Sequence, residues 1–165
     1  MADITIRMAT ARDAERIAAI YNQGIEDRVA TLETELRDAE DRRAWLAARG
    51  ARHPVLVAER DADVVAWGSL NSFNPRPVYA HVADFSIYVD REMRGRGVGR
   101  LLLARLIDEA RRIGYHKMVL AAFPTNAAGM RLYEAMGFTR VGIYREQGRL
   151  DGAWVDVVIM EQILA

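Results

Sequence analysis

A glycine-rich turn in mid-chain restricts the possible folds of this sequence more than any other feature. HVADFSIYVD alternates as a strand does, Arg94-Gly95-Arg96-Gly97-Val98-Gly99 follows without a break, and LLLARLIDEARRIG then carries apolar residues at helical spacing. Gly114 supplies the helix stop, because glycine takes a left-handed helix end at little cost. A strand, a turn and a helix of this composition make an anion cradle. Glycines let a ligand approach the backbone, successive N–H groups face the turn, and the helix N-terminus adds partial positive charge. Arg94, Arg96 and Arg100 add full charges around it. A pyrophosphate suits this chemistry; a turn that only begins a helix is the plainer alternative. The lysine and hydroxyl of a P-loop are missing. The turn also follows two hairpin strands and has no clear downstream βαβ unit with a ribose-binding acid, which sets a Rossmann fingerprint aside.

The flanking elements predict one mixed α/β domain over residues 1–165. Ile4, Ile6 and Met8 alternate as a strand, Thr10 can cap a helix bearing Ile17, Ile20 and Tyr21, and Asp38 to Arg49 has the pattern of a second amphipathic helix ending near Gly50. EDRVATLETEL between them follows no clear period. VLVAE and VVAWGSLN are joined by the acidic turn RDAD, a hairpin signature, and FNPRP breaks regular structure. KMVLAAF reads as a strand, NAAGMRLYEAM as a helix closed by Gly137 and Phe138, and RVGIYREQG and AWVDVVIMEQIL as late strands.

Composition narrows the chemistry. The 23 basic residues balance 23 acidic ones, so no net field gathers nucleic acid or an anionic membrane. With no Cys there is no disulfide, no thiolate nucleophile and no Cys-based zinc site, and the three His show no metal-ligand spacing. No apolar run approaches the roughly 20 residues of a membrane helix. The expectation is a cytoplasmic protein with no metal and neither nucleic acid nor membrane as partner. Its chemistry falls to carboxylates, Tyr, Arg and backbone groups.

IYVDREMRGRGVGRLLL resembles the acetyl-CoA motif of the GNAT acetyltransferases: a strand, R/Q-x-x-G-x-G/A, then a helix. KMVLAAFPTNAAGMRLYEAMGFTRVG resembles that family's later element, with its Asn, helical Tyr and terminal GF. Over almost the whole chain the resemblance is to the phosphinothricin, methionine sulfoximine and arsinothricin N-acetyltransferase group. IAAIYNQGIEDRVATLE, RPVYAHVADFSIYV, NAAGMRLYEAMGF and GRLDGAWVDVVIMEQIL carry it. The resemblance implies a central, mixed, mostly antiparallel twisted sheet flanked by helices, with a strand pair splayed at the acetyl-CoA site. It also implies acetyl-CoA as cosubstrate, a small amino-acid-like amine as substrate, direct transfer through a tetrahedral intermediate, and a homodimer.

The resemblance also assigns roles. Asp84 stands just before the S-x-Y-V strand, where the group more often has Glu, and is the candidate base that removes the ammonium proton through an ordered water. An Asp satisfied by a neighbouring Arg or backbone N–H is the alternative. Val89 N–H is the candidate oxyanion donor, and the backbones of Ile87, Tyr88 and Val89 are to pair with the pantetheine amides as an added strand. Gly95, Gly97, Val98 and Gly99, with Arg94, Arg96 and Arg100, form the cofactor turn. Asn126 caps the next helix and contacts the pantetheine arm, and Tyr133 protonates the departing thiolate unless it is simply a satisfied core aromatic. Arg76 offers a planar fork for a carboxylate, phosphinate or arsonic-type group. Asn74, Phe85 and Ser86 complete the substrate pocket, lined by Tyr21, Asn22 and Thr31 from the N-terminal side. Trp154 and Tyr79 are expected in the core or at an interface. Two further readings stand: a GNAT acting on a protein N-terminus or ribosomal protein, and a noncatalytic acyl-CoA sensor.

Overall fold

The computed structural model describes residues 3–164. The chain opens with β1 (Thr5–Met8), a 3-10 turn over Ala11–Asp13, α1 (Ala14–Asp27) and α2 (Ala39–Ala47). It continues with β2 (Val55–Arg60), β3 (Asp63–Ser72), β4 (Val82–Val89), α3 (Val98–Ile113) and β5 (Lys117–Ala122). It closes with α4 (Ala127–Ala135), β6 (Thr139–Leu150) and β7 (Ala153–Ile163). Seven strands form one sheet in the order β1-β2-β3-β4-β5-β7-β6, and only β4 and β5 run parallel, as the α3 crossover between them requires.

The acidic RDAD turn closes the β2–β3 hairpin with Asp61 and Ala62 at φ 51° and 68°, the positive pair that a two-residue hairpin turn demands. Asp38, where the sequence pattern begins the second helix, caps α2 by accepting the Asp41 N–H at 2.8 Å. That helix ends at Ala47, before Gly50, and Arg49 swings its guanidinium back to the His53 and Leu70 carbonyls. The undecided EDRVATLETEL stretch finishes α1 and then runs without regular structure to Asp38. Asn22 pins it there: its side chain exchanges two 2.8 Å hydrogen bonds with the Arg37 backbone.

The two faces of the sheet are packed differently. On one face α3 and α4 bury Leu102, Leu103, Leu106 and Met130 against Phe85, Met118, Leu120 and Met160. On the other, α1 buries Ile17 and Ile20 against Val55, Val57 and Trp67, with Tyr21, Trp45 and Tyr88 around them. Strand alternation therefore puts Asp84, Ser86 and Tyr88 on the α1 face, and Phe85, Ile87 and Val89 on the α3 face.

Candidate active site

β4 and β5 pair only through Val82–Lys117, Ala83–Met118 and Asp84–Val119, after which the two strands part. The β3–β4 ladder shows which backbone groups this opening frees. Asp90 N–H donates to Val65 O at 2.8 Å, and in an antiparallel ladder bonded and unbonded pairs alternate. Tyr88 opposite Trp67 is therefore a bonded pair, whereas Ile87 and Val89 turn their N–H and C=O groups away from β3 towards the gap. The Val89 carbonyl accepts from Arg94 Nε at 3.2 Å, which leaves its N–H facing the opening. The pairing expectation needs a correction at Tyr88, whose amide is turned into the ladder and whose ring stacks on Trp67 at 4.9 Å.

Beyond β4 the chain makes the anion cradle. Gly95 and Gly97 lie at φ 73° and 82°, a region other residues enter with strain, and a Cβ on either would point into open space. Gly97 caps α3, whose first turn has no acidic residue, and the first helical bond runs from Leu101 N–H to Gly97 O. The N–H groups of Val98, Gly99 and Arg100 are thus left for an outside acceptor. Val98 contributes only its backbone, since its side chain is buried in the core. Arg96 and Arg100 are exposed, and among the described residues neither has an ion-pair partner. Arg94 differs: Asp27 holds its guanidinium at 2.7 Å, so it fastens the turn to α1 and its charge is already compensated. Backbone donors towards the gap, an uncrowded glycine turn and two free guanidiniums fit a pantetheine pyrophosphate.

Asp84 and Tyr133 approach the opening from opposite faces of the sheet. Asp84 keeps part of its surface accessible, yet burial pushes its carboxyl up to about 6, and the Phe85 N–H offsets only some of that. Among the described residues no arginine pairs with it, whereas a backbone N–H, that of Phe85, does reach it. Tyr133, on α4, packs edge-on to Phe85 at 6.0 Å. Burial raises its phenol above the ordinary value, so the hydroxyl keeps its proton at neutral pH. Asn126 caps α4 through a 3.0 Å bond from Gly129 N–H.

The expected substrate residues do not all converge. Ser86 lies on the Asp84 face, but Phe85 is 5% exposed and packed against Phe138 and Tyr133, so alternation removes its side chain from that pocket. Asn74 spends its Oδ1 on the Arg76 N–H, and the Arg76 side chain is exposed. Asn22 is occupied with Arg37, Thr31 accepts from Glu33 N–H and lies beside the Tyr88 hydroxyl, and Tyr21 packs edge-on to Trp67 and Tyr88. Trp154 is 62% exposed and Tyr79 also reaches the surface, so neither is core.

Sequence reasoning missed a polar network beside Asp84. Asn71, the cross-strand partner of Asp84, accepts from Arg49 Nη2 at 2.8 Å and Ser69 Oγ at 3.0 Å, and donates to Ser86 Oγ at 3.3 Å. Two donors on one oxygen fix the orientation of the amide. Burial lowers the Arg49 pKa, and the nearby Arg42 lowers it further. The signal was present: Ser69 and Asn71 are polar at successive positions on one face of an otherwise apolar strand.

The family model described as "Acetyltransferase (GNAT) family" matches residues 17–138. The chain belongs to the GNAT acetyltransferase family. It is 36% identical to the L-methionine sulfoximine/L-methionine sulfone acetyltransferase of Salmonella typhimurium, over 96% of this chain and 93% of that one. Among solved structures, the GNAT phosphinothricin acetyltransferase of Sinorhizobium meliloti in complex with acetyl-CoA matches with TM-score 0.92 and 27% identity. The match covers 98% of this chain and 89% of that one. The ribosomal-protein-alanine N-acetyltransferase of Brucella melitensis matches with TM-score 0.93 and 38% identity, over 96% and 99%. This GNAT chain is an N-acetyltransferase with acetyl-CoA as cosubstrate, on a mixed, mostly antiparallel sheet. Among the described residues no group of three or more His, Cys, Asp or Glu could hold a metal ion, and no helix is long and apolar enough to cross a membrane.

Proposed function

We propose that this enzyme acetylates the α-amino group of a free amino acid or amino-acid analogue of the phosphinothricin, methionine sulfoximine or arsinothricin type. The observation that carries the reading is the end of β4–β5 pairing at Asp84, with the Asp84 side chain on one face of the sheet and Tyr133 packed on Phe85 on the other. Bound acetyl-CoA supplies the acetyl thioester. Arg96, Arg100 and the N–H groups at the start of α3 hold the pyrophosphate, Ile87 and Val89 offer backbone groups to the pantetheine amides, and Asn126 contacts the same arm.

Asp84 accepts the proton that the ammonium must lose before its nitrogen can attack, directly or through one water. A carboxyl near 6 is mostly ionised at neutral pH and a better base than an ordinary aspartate. Val89 N–H donates to the carbonyl oxygen as negative charge develops there. Tyr133 gives its phenolic proton to the departing sulfur. Arg76 pairs with the substrate's carboxylate or its analogue, and Ser86, held by Asn71, orients the amine end. The exposed edge strand β6, with Val141, Ile143 and Tyr144 outside, is the surface on which a second copy would pair; solution mass tests that.

The purified protein is to be incubated with acetyl-CoA and a panel of amino acids and analogues, with CoA release and product mass measured. Acetylated amino acid is expected, with kcat reduced about a hundredfold or more in Asp84→Asn and in Tyr133→Phe. The name of the Brucella relative favours a second reading, so a peptide with N-terminal alanine belongs in the same panel. Turnover on that peptide alone would overturn the free-amino-acid reading, and acetyl-CoA binding with no turnover at all would leave a sensor.

A further inference from the structure

The α1 face of the sheet has a second feature next to Asp84. Residues 73–81, between β3 and β4, fold beside the first half of β4 and β5 and enclose a cleft of about 440 Å³. Its walls are Phe73, Val78, Tyr79, Val82 and Val119. The Phe73 and Tyr79 rings meet edge to face at 5.6 Å, which braces the segment. Val82 lies two residues before Asp84 on the same strand face, and Val119 is the cross-strand partner of Asp84. The cleft therefore begins one residue spacing from the carboxylate that takes the amine proton.

Its lysine is already engaged. The Lys117 ammonium is ion-paired with Glu161, and the His81 ring lies against His116 at 6.0 Å between centroids. Arg76 belongs to the same segment, is exposed, and has no ion-pair partner among the described residues.

We infer that this cleft receives the side chain of the acceptor amino acid and selects neutral, apolar side chains, leucine-like or methionine-like, over anionic ones. The inference rests on the proposed function and narrows its substrate class. With the amine at Asp84, the acceptor's side chain falls across Val119 and Val82, and its α-carboxylate is within the territory of the segment that carries Arg76. An apolar side chain gains by leaving water against five apolar walls. With Arg76 taken by the α-carboxylate, a phosphinate or second carboxylate in the cleft loses hydration beside a lysine that Glu161 already neutralises.

The test is steady-state kinetics at saturating acetyl-CoA with leucine, methionine, glutamate and phosphinothricin, on the unmodified enzyme and on Val78→Lys. Val78 is 72% exposed, so the substitution leaves the fold intact. The unmodified enzyme is expected to favour leucine and methionine by tenfold or more in kcat/KM. Val78→Lys is expected to raise KM for the neutral acceptors about tenfold, to shift the ratio towards the anionic ones, and to leave KM for acetyl-CoA unchanged. Anionic acceptors ahead in the unmodified enzyme, or a Val78→Lys variant indistinguishable from it, would overturn the cleft's role while transfer to amino acids stands. If acetyl-CoA binds and none of the four is acetylated, the proposed function itself fails and this inference with it. If Val78→Lys changes only the mass in solution, the cleft is a contact between copies and the inference is overturned.

Discussion

Burial pushes the Asp84 carboxyl up to about 6 from an ordinary value of 3.8, a shift that bears on stability and, in the proposed mechanism, on activity. Between those pH values the folded chain holds a proton that the unfolded chain has released, so stability falls as pH rises from about 4 to 6 and stays lower above. Asp84→Asn is therefore expected to be more stable than the unmodified protein at pH 8, by about 1–3 kcal/mol in urea unfolding, and to lose that advantage near pH 4. Its activity moves the other way. At saturating substrates kcat should rise with pH through about 6 in the unmodified enzyme, and the rise should be missing in the variant. Arg49 shows the same conflict between burial and charge, relieved by the His53 and Leu70 carbonyls and Asn71 Oδ1. Asn71→Ala removes one of those acceptors from a desolvated guanidinium, and a loss of about 1–3 kcal/mol in thermal or urea unfolding is the expected result. Asp84 could be singled out through its motif; Arg49 could not, because its importance depends on a strand 22 positions further on.

At the scale of elements, the phase of β4 does most to shape the site. A shift of one residue in its pairing with β3 would turn the Val89 and Ile87 amides into the ladder and move Asp84 to the α3 face. The turn after β4 depends on glycine at Gly97, where φ is 82°. Gly97→Ala is expected to cost about 1 kcal/mol of stability and to raise KM for acetyl-CoA about tenfold, because the left-handed conformation that presents the α3 N-terminus is strained for alanine. The β2–β3 hairpin offers the opposite case. Ala62 sits at φ 68° without needing its methyl group there, so Ala62→Gly is expected to stabilise by about 0.5–1 kcal/mol, read as a higher midpoint in urea. The acidic turn was legible from its residue types, whereas the positive φ at alanine was imposed by the two strands it joins.

Across the whole molecule the sheet is nearly two sheets. β1 to β4 and the β5-β7-β6 group share three residue pairs at Val82–Asp84, and packing under α3 and α4 supplies much of the rest. On the α1 side the link is the segment after α1, where Arg28 pairs with Asp151 at 3.1 Å and Leu32 packs so closely on Gly148 that a Cβ there would lie 2.5 Å from it. A second cleft, of about 550 Å³, lies in this region, lined by Arg28, Pro124, Asp151 and Trp154 among others. In the proposed complex, acetyl-CoA along the free edge of β4 would span the division between the two halves. A ligand that binds only the folded chain stabilises it by about 2.7 kcal/mol at a hundred times its Kd, so a rise in Tm with acetyl-CoA is expected, reduced in an Arg96→Ala, Arg100→Ala double variant.

The sequence by itself determined the elements, their order and the chemistry of the glycine turn. These rest on local physics: alternation over HVADFSIYVD, glycine where φ must be positive, capping at Asp38 and Asn126, and a helix stop at Gly114. The tertiary structure alone decided which face each side chain took and which polar groups remained free. It sent Phe85 to the core and turned the Tyr88 amide into the ladder. It tied Arg94 to Asp27 and Asn22 to Arg37, gathered Arg49, Asn71 and Ser86 beside Asp84, and placed Val119 against the same residue. Periodicity can say that two residues share a face of their own strand. Which helix covers that face, and which distant partner takes a hydrogen bond first, depend on contacts between segments far apart in the chain.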